Sequence, residues 1–154
     1  MMAKSMRQLV KEAGFVYHGF GFPVVLMGIP ILIVRGVPTP DVRLNALEQE
    51  VLMLLAEKRS RLTGAEVRFI RHANNLTLQA FAERFGVTHP AVIKWEKAGR
   101  KPSGMTWSTE KDIRLFVLER RKAKPAEFVA VYRSLEKPPV ARQRTLTVDA
   151  SHVA

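Results

Sequence analysis

The sequence predicts a mainly α-helical protein, in which a small domain of one β-hairpin and one helix precedes a domain of five helices. Three observations support this. Val- and Ile-rich segments are confined to the first 40 residues, apolar residues recur at helical spacing from residue 44 onward, and Ser, Thr or Pro residues precede successive helical segments. With 154 residues, 47% of them hydrophobic, the chain is long enough for one or two packed domains.

The composition excludes several function classes. Because the chain has no cysteine, it forms no disulfide framework, Cys-based zinc finger, iron–sulfur cluster or Cys nucleophile. Its 25 Lys and Arg residues against 14 Asp and Glu give a formal net charge of +11, which predicts a polyanionic partner, either nucleic acid or anionic lipid. Residues 1–50 contain 5 basic and 4 acidic residues, whereas the remainder contains 20 and 10, so the basic function is predicted downstream.

An apolar run over residues 19–34 follows Lys4, Arg7 and Lys11, which raises the alternative of a secretory signal. Gly and Pro residues interrupt the run, which is too short to span a membrane, and residues 34–38 make a poor cleavage site. We therefore interpret it as part of a folded domain. Residues 22–27 and 29–34 are predicted as two strands of a hairpin around Gly28, with both faces covered by the rest of the chain or by a second copy.

From Asp41 the period changes to that of an amphipathic helix. Its apolar stripe contains Leu44, Leu47, Leu52, Val51, Leu54 and Leu55. Two interpretations stay open: the stripe packs on the local hairpin, or it forms a dimer seam, and both can hold at once. Residues 1–60 are thus predicted to be a small domain for dimerisation or partner binding.

Helix caps divide the next part of the chain. Thr63 and Glu66 form a capping box at the start of a helix that ends at Asn74 and Asn75. Thr77 caps a second helix, which Gly86 closes, and Thr88 caps a third.

Two further helices are predicted towards the C-terminus. Ser108 or Thr109 is expected to cap a helix that continues to Arg120. Pro125 is expected at the first position of a last helix, with an apolar stripe of Phe128, Val129, Tyr132 and Leu135. This gives a domain over residues 61–136.

Residues 137–154 are predicted to be a tail that is mobile unless something docks it, with one alternating patch over residues 146–148.

Residues 76–99 carry the main functional signal, because two short helices joined by a Gly-containing turn define a helix-turn-helix. Ala82 is small where the helices cross, and Val87, Val92 and Trp95 are expected to seat the second helix. The remaining positions of that helix are then expected to face the major groove of DNA: Thr88, His89, Pro90, Ala91, Lys94 and Lys97.

This segment resembles the Cro/XRE type of helix-turn-helix, through Thr77, Phe81, Ala82, Gly86, Val87, Thr88, Val92, Trp95 and Glu96. The resemblance implies the five-helix-type fold of that family and a pair between Arg71 and Glu96. It also implies that His89, Pro90 and Lys94 lie where base edges are read, with Thr88 near a thymine methyl group and Lys97 near a phosphate. Arg100 and Lys101 complete the predicted DNA-binding set, together with Gln79.

One departure concerns the start of the first of these two helices, where the family often has a Gln that contacts DNA. Leu78 occupies that position and Gln79 follows it. In addition, the side chain of Pro90 has no hydrogen-bond donor, so direct readout is expected from His89 and Lys94, with more weight on DNA shape and phosphates.

Residues 62–71, together with the helix-turn-helix, resemble the C-terminal domain of MqsA-type antitoxins. The resemblance implies a dimeric transcriptional autorepressor of a toxin–antitoxin operon. Those proteins bind their toxin through an N-terminal zinc domain with paired Cys-x-x-Cys ligands, which this chain lacks. The resemblance therefore does not identify which residues of the N-terminal domain would bind a toxin.

The sequence predicts no metal site, cofactor or catalytic activity. His18, His72, His89 and His152 have no metal-binding spacing, and no nucleophile–base pair, phosphate-binding Gly loop or paired carboxylate is evident. The prediction is a cytoplasmic bacterial repressor that binds a palindromic double-stranded DNA operator as a homodimer, with a toxin as a further partner. The alternatives are a stand-alone, phage-like regulator and a protein-binding module. A basic membrane-surface protein is disfavoured because the basic residues are spread around the helices.

Overall fold

The computed structural model describes residues 8–10 and 14–153, so Lys4, Arg7 and Lys11 lie outside the described residues. The chain divides into two compact units, one from residues 1–51 with 145–154 and the other from residues 52–144. We call them the β unit and the helical unit. These divisions differ from the predicted boundaries at residues 60 and 136, because a segment late in the chain joins the β unit.

The β unit contains two three-stranded sheets, with strand orders β1-β4-β5 and β2-β3-β6. The strands are β1 (Gln8–Val10), β2 (Phe15–Tyr17), β3 (Val24–Met27), β4 (Ile29–Val34), β5 (Val37–Pro40) and β6 (Leu146–Asp149).

The two predicted N-terminal strands are present as β3 and β4, but they do not pair with each other. Gly28 lies between them with a φ of 68°, and the chain passes there from one sheet to the other. The hairpins are instead β2–β3 and β4–β5, both antiparallel. In the latter, Arg35 and Gly36 both have positive φ, as in the two-residue turns that match the twist of paired strands.

Burial along β3 and β4 alternates, so one face is fully covered and the other is not. Val24, Leu26, Ile29 and Ile31 are buried, whereas the residues between them are only half-buried and the end of β4 is exposed. The prediction that both faces are covered therefore does not hold within a single chain. A period of two is the pattern of a strand with one core-facing side.

The predicted mobile tail is wrong for residues 146–153. β6 pairs in parallel with β3, Val148 and Val153 are buried, and the backbone N–H of Ala150 donates to the carbonyl of Met27 at 2.9 Å. Three residues of alternating pattern are enough for a strand once an unpaired strand edge is available to receive them. Helix α1 (Leu44–Glu57) confirms the predicted amphipathic helix, and it buries Leu47, Val51, Leu52 and Leu55 but leaves Leu44 exposed.

The helical unit contains five helices after α1: α2 (Gly64–Ala73), α3 (Leu78–Arg84), α4 (His89–Lys97), α5 (Trp107–Arg120) and α6 (Pro125–Ser134). The predicted caps of the first three are confirmed, because the side chains of Thr63, Thr77 and Thr88 each accept a backbone N–H from three residues on. Glu66 completes the capping box with Thr63. Local sequence signals therefore determined where these helices begin.

Two details of the last helices differ from the prediction. The cap of α5 is Thr106, not Ser108 or Thr109, so the helix begins at Trp107, whose indole N–H donates to the carbonyl of Leu135 at 3.2 Å. Pro125 does lie at the start of α6, as predicted. However, α6 buries Val131 and Leu135, whereas Val129 and Tyr132 of the predicted stripe are exposed.

A fully buried ion pair fixes the segment between α1 and α2. Arg114 and Glu110 of α5 are both inaccessible to solvent, and an Arg114 nitrogen lies 2.8 Å from a Glu110 oxygen. Arg114 also donates to the backbone carbonyls of Lys58 and Ser60, while Glu110 accepts from the side chain of Arg61. Burial lowers the pKa of Arg114, and Glu110 opposes that shift by stabilising the charged guanidinium.

A second ion pair lies at the start of α2. The Lys58 ammonium donates to Glu66 and to Gln143, at 2.6 Å in each case. Glu66 also caps α2. Through Lys58, the first turn of this helix is therefore linked both to the segment before α2 and to Gln143, near the end of the helical unit. The start of α2 is thereby held in place for the contacts it makes with α4.

Candidate nucleic-acid interface

The turn between α3 and α4 is built around Gly86. Its φ is 65°, a conformation that favours glycine because it has no Cβ. The backbone N–H of Val87 donates to the carbonyl of Ala82 at 2.9 Å, which closes the end of α3. The predicted helix, turn and second helix are therefore all present.

Aromatic and aliphatic residues seat α4 on the rest of the unit. Val92 and Trp95 of α4 are buried, as are Phe81 and Ala82 of α3. The ring of Phe85, at the end of α3, lies 5.4 Å from that of Phe116 on α5 in an edge-to-face arrangement, which packs α3 on the same core. The predicted seating residues Val92 and Trp95 are confirmed, and Val87 is half-buried.

Arg71 and Glu96 form the predicted pair. The guanidinium donates two hydrogen bonds to the carboxylate, at 2.9 and 2.8 Å, and each side chain is only 10% exposed. Arg71 also donates to the carbonyl of Leu76. This bidentate contact joins α2 to α4 and restricts the orientation of α4.

Gly64 is a structural requirement that the sequence analysis missed. A Cβ at this position would lie 2.3 Å from the carbonyl oxygen of Trp95 and 2.8 Å from the nitrogen of Gly99. The first turn of α2 thus packs directly on the backbone at the end of α4. A Gly immediately after the capping residue Thr63 was the available signal, because glycine is unfavourable inside a helix without such a reason.

The predicted DNA-facing residues lie on the solvent side of α4. Thr88, His89, Pro90, Lys94 and Lys97 are exposed and Ala91 is half-buried. Pro90, Lys94 and Lys97 are spaced i, i+4 and i+7, so they share one face of the helix, opposite Val92 and Trp95. The fold therefore presents Pro90, Lys94 and Lys97 together on one exposed face of α4.

The other three predicted site residues lie outside α4. Arg100 and Lys101 are exposed in the loop that follows α4. Gln79 is exposed on the first turn of α3, where its amide donates to the Glu83 carboxylate at 3.3 Å. Gln79 thus has an intramolecular partner that a DNA contact would have to replace.

The net charge belongs entirely to the helical unit. Residues 52–144 contain 20 basic and 9 acidic side chains, a surplus of +11, whereas the remaining residues contain 5 of each. On α4 and its following loop, Glu96 is paired with Arg71, so Lys94, Lys97, Arg100 and Lys101 are not neutralised by it. This region is electrostatically suited to a polyanion.

Arg68 is a further basic residue beside α4 that the sequence analysis did not select. Its side chain is 67% exposed on α2, and it lines a groove shared with Ile93 and Lys97 of α4. An exposed Arg on a helix has no distinguishing sequence signal, because its proximity to α4 arises only in the folded unit.

The described residues offer no cluster of three or more His, Asp or Glu that could hold a metal ion. None of the helices in the described part of the chain is long and apolar enough to cross a membrane. His18 and His72 are exposed and lie on separate units.

Comparison with known proteins agrees with this geometry. Residues 67–108 match the family model described as helix-turn-helix, and this range contains most of α2, all of α3 and α4 and the start of α5. Searches of curated proteins and of solved structures found no match. Residues 67–108, less than half of the chain, are therefore similar to a DNA-binding helix-turn-helix family, which indicates a DNA-binding transcription regulator.

Proposed function

We propose that the chain is a sequence-specific transcriptional repressor that binds double-stranded operator DNA as a homodimer. The observation that carries the proposal is the exposed face of α4 with Pro90, Lys94 and Lys97, seated by buried residues in the unit that holds the whole net charge. A helix presented in this way fits the major groove of B-DNA, which is wide enough to admit it.

In this proposal His89 and Lys94 hydrogen-bond to base edges, while Thr88 and Ala91 contact thymine methyl groups. Pro90 contributes to the fit of α4 in the groove, because its side chain has no hydrogen-bond donor. Lys97, Arg100 and Lys101 neutralise phosphates, and the positive end of the α4 helix dipole adds to the attraction of an anion. Gln79 contacts the DNA beside α4 once its hydrogen bond to the Glu83 carboxylate is broken.

Dimerisation is proposed because one recognition helix contacts few base pairs, and two half-sites about 34 Å apart multiply the selectivity. The β unit supports this role, since it has no net charge and exposes Ile33, Val34 and Val37 around the β4–β5 turn by 47%, 49% and 60%. Leu44, at the start of α1, is 54% exposed and extends the apolar stripe of that helix. Such exposed apolar groups suit a protein–protein contact.

An antitoxin role rests on the resemblance to MqsA-type antitoxins. In this chain the β unit would bind the toxin without zinc, because there are no cysteines to hold the metal and the unit is held together by buried aliphatic residues. The same exposed aliphatic residues also favour the alternatives, a stand-alone regulator or a module that binds another protein. A repressor of this kind would act in the cytoplasm of a bacterium.

Fluorescence anisotropy with labelled DNA tests the proposal. The purified chain is titrated with DNA from just upstream of its own gene and with a scrambled duplex of equal length, at two salt concentrations. We expect a preference of about 10³ or more that persists at the higher salt. Equal and steeply salt-sensitive binding to both duplexes contradicts sequence-specific repression.

Two further measurements separate the alternatives. A His89→Ala, Lys94→Ala double variant that retains full cellular function would favour a protein-binding module. Co-expression with the product of the adjacent gene tests the antitoxin role, which fails if that product is neither toxic nor bound by this chain.

A further inference from the structure

A groove of about 360 Å³ lies on the helical unit between α2, α3 and α4. Its lining residues are Arg68, Arg71, Leu78, Ile93, Glu96 and Lys97. Lys97 belongs to the proposed DNA-facing side of α4, so the groove is continuous with that surface. Arg68 and Leu78 extend the surface away from α4.

The charges in the groove leave two cations for an external partner. Arg71 and Glu96 neutralise each other through their bidentate contact, which uses both carboxylate oxygens. The Nε atom of Arg68 lies 4.0 Å from Glu96 and 3.5 Å from Nε2 of His72, so Arg68 makes no short ion pair with Glu96. Arg68 and Lys97 are both exposed, and the groove has a net charge of +2.

The remaining lining residues are apolar. Leu78 and Ile93 are half-buried, and neither side chain can hydrogen-bond to a ligand. A partner that fits must therefore combine an anionic group, for the two cations, with an apolar surface, for the two aliphatic side chains. The sugar–phosphate backbone of DNA has this combination, with a phosphate next to the carbon face of a deoxyribose.

We propose that this groove binds one backbone phosphate of the operator, held between Arg68 and Lys97, with the adjoining deoxyribose against Leu78 and Ile93. Arg68 is then a DNA-contacting residue on α2, outside the helix-turn-helix pair. The contact positions α4 in the major groove without reading sequence. This inference rests on the proposed DNA-binding function.

The test is the salt dependence of DNA affinity for Arg68→Ala, measured by anisotropy with the operator and with the scrambled duplex. Loss of one phosphate contact should lower the slope of log affinity against log salt by about 0.9, and should weaken binding to both duplexes equally. Arg68→Lys keeps the charge and should retain a slope close to that of the wild type. A circular-dichroism melt checks that each variant is folded.

Arg133→Ala is the matched control, because Arg133 is also an exposed arginine on a helix of this unit but lies on α6. It should leave the slope unchanged. If Arg68→Ala behaves like Arg133→Ala while the wild type binds DNA, the inference is overturned and the proposed function stands. If the wild type does not bind DNA, both are overturned.

Neutral methylphosphonates placed one at a time along the operator give an independent measurement. One position should weaken binding of the wild type more than binding of Arg68→Ala, because the variant contacts that phosphate only through Lys97. Additive losses at every position would contradict a direct contact between Arg68 and a phosphate.

Discussion

The two units of this chain differ in net charge and in the kind of interaction found in their interiors. The helical unit carries the whole net charge of +11 and contains buried ion pairs, whereas the β unit has no net charge and a core of aliphatic residues. The basic unit needs strong internal anchors because its like charges repel one another. The neutral unit has no such repulsion to overcome, and it leaves aliphatic side chains exposed.

This difference suggests a division of labour. Charge attracts DNA from solution but also destabilises a compact unit, and the proposed DNA-binding residues lie on or next to helices whose starts are fixed by caps and ion pairs. Exposed aliphatic residues are placed on the unit where no net charge opposes the approach of another copy. Four sets of substitutions test the contrast, in order of decreasing expected effect.

The largest effect is expected for Arg114→Ala, which removes the buried partner of the Glu110 carboxylate and leaves it with the partly exposed Arg61. We expect a loss of about 3–5 kcal/mol in the unfolding free energy of the helical unit. Trp95 and Trp107 both lie in this unit and are the only tryptophans of the chain, so urea unfolding followed by tryptophan fluorescence reports on it alone. Arg133→Ala is the control. An unchanged midpoint for Arg114→Ala would show that the buried pair is not an anchor.

Val148→Asp tests the β unit, because it places a charge on the buried side of β6. We expect a loss of about 3 kcal/mol or more, seen as faster amide hydrogen exchange in β3. Thr147→Asp is the matched control, since its side chain lies on the exposed face of the same strand. Tryptophan fluorescence should show the same urea midpoint in both variants. A shift of that midpoint would mean that the two units unfold as one.

Glu96→Ala removes the partner of Arg71, which is nearly buried. The helical unit should lose about 1–3 kcal/mol of stability. The salt slope of DNA binding should not decrease, because Glu96 contacts no phosphate. Glu83→Ala, which removes an exposed carboxylate on α3, should cost much less. Equal effects of the two substitutions in a thermal melt would contradict a structural role for the pair.

The smallest changes separate two kinds of DNA contact. Lys97→Ala or Arg100→Ala should weaken binding to every sequence and lower the salt slope by about one each. His89→Ala should instead relax the preference at particular base pairs, by about 1–3 kcal/mol. Binding of each variant to a panel of single-base operator variants distinguishes these outcomes. Uniform loss in all three would show that His89 does not read bases.

The sequence predicted the helical unit well because its signals are local. A Thr side chain can accept the backbone N–H three residues later, so a Thr just before an apolar run at helical spacing marks a helix start. Thr63, Thr77 and Thr88 therefore identified three helices from local sequence alone. The start of α5 was misplaced because Thr106, Ser108 and Thr109 are all suitable caps. The contact of Trp107 with Leu135, far away in sequence, accompanies the choice of Thr106.

The β unit was predicted less well because strand pairing is not local. Val24–Met27 and Ile29–Val34 were recognised as strands, but nothing in their own residues indicates that they enter different sheets. Pairing of β3 with β6 depends on two segments at opposite ends of the described chain. Arg68 was missed for a related reason, since its proximity to Lys97 exists only after α2 and α4 have packed.

The position of β6 in the chain has a consequence for synthesis. A ribosome makes β3 before α1 to α6 and makes β6 only after them, so the helical unit has all its residues while one edge of β3 still awaits its partner. An unpaired strand edge is a template for pairing with another chain. Nascent chains on neighbouring ribosomes are thus exposed to wrong association through the neutral unit, and pairing of β6 with β3 ends that risk.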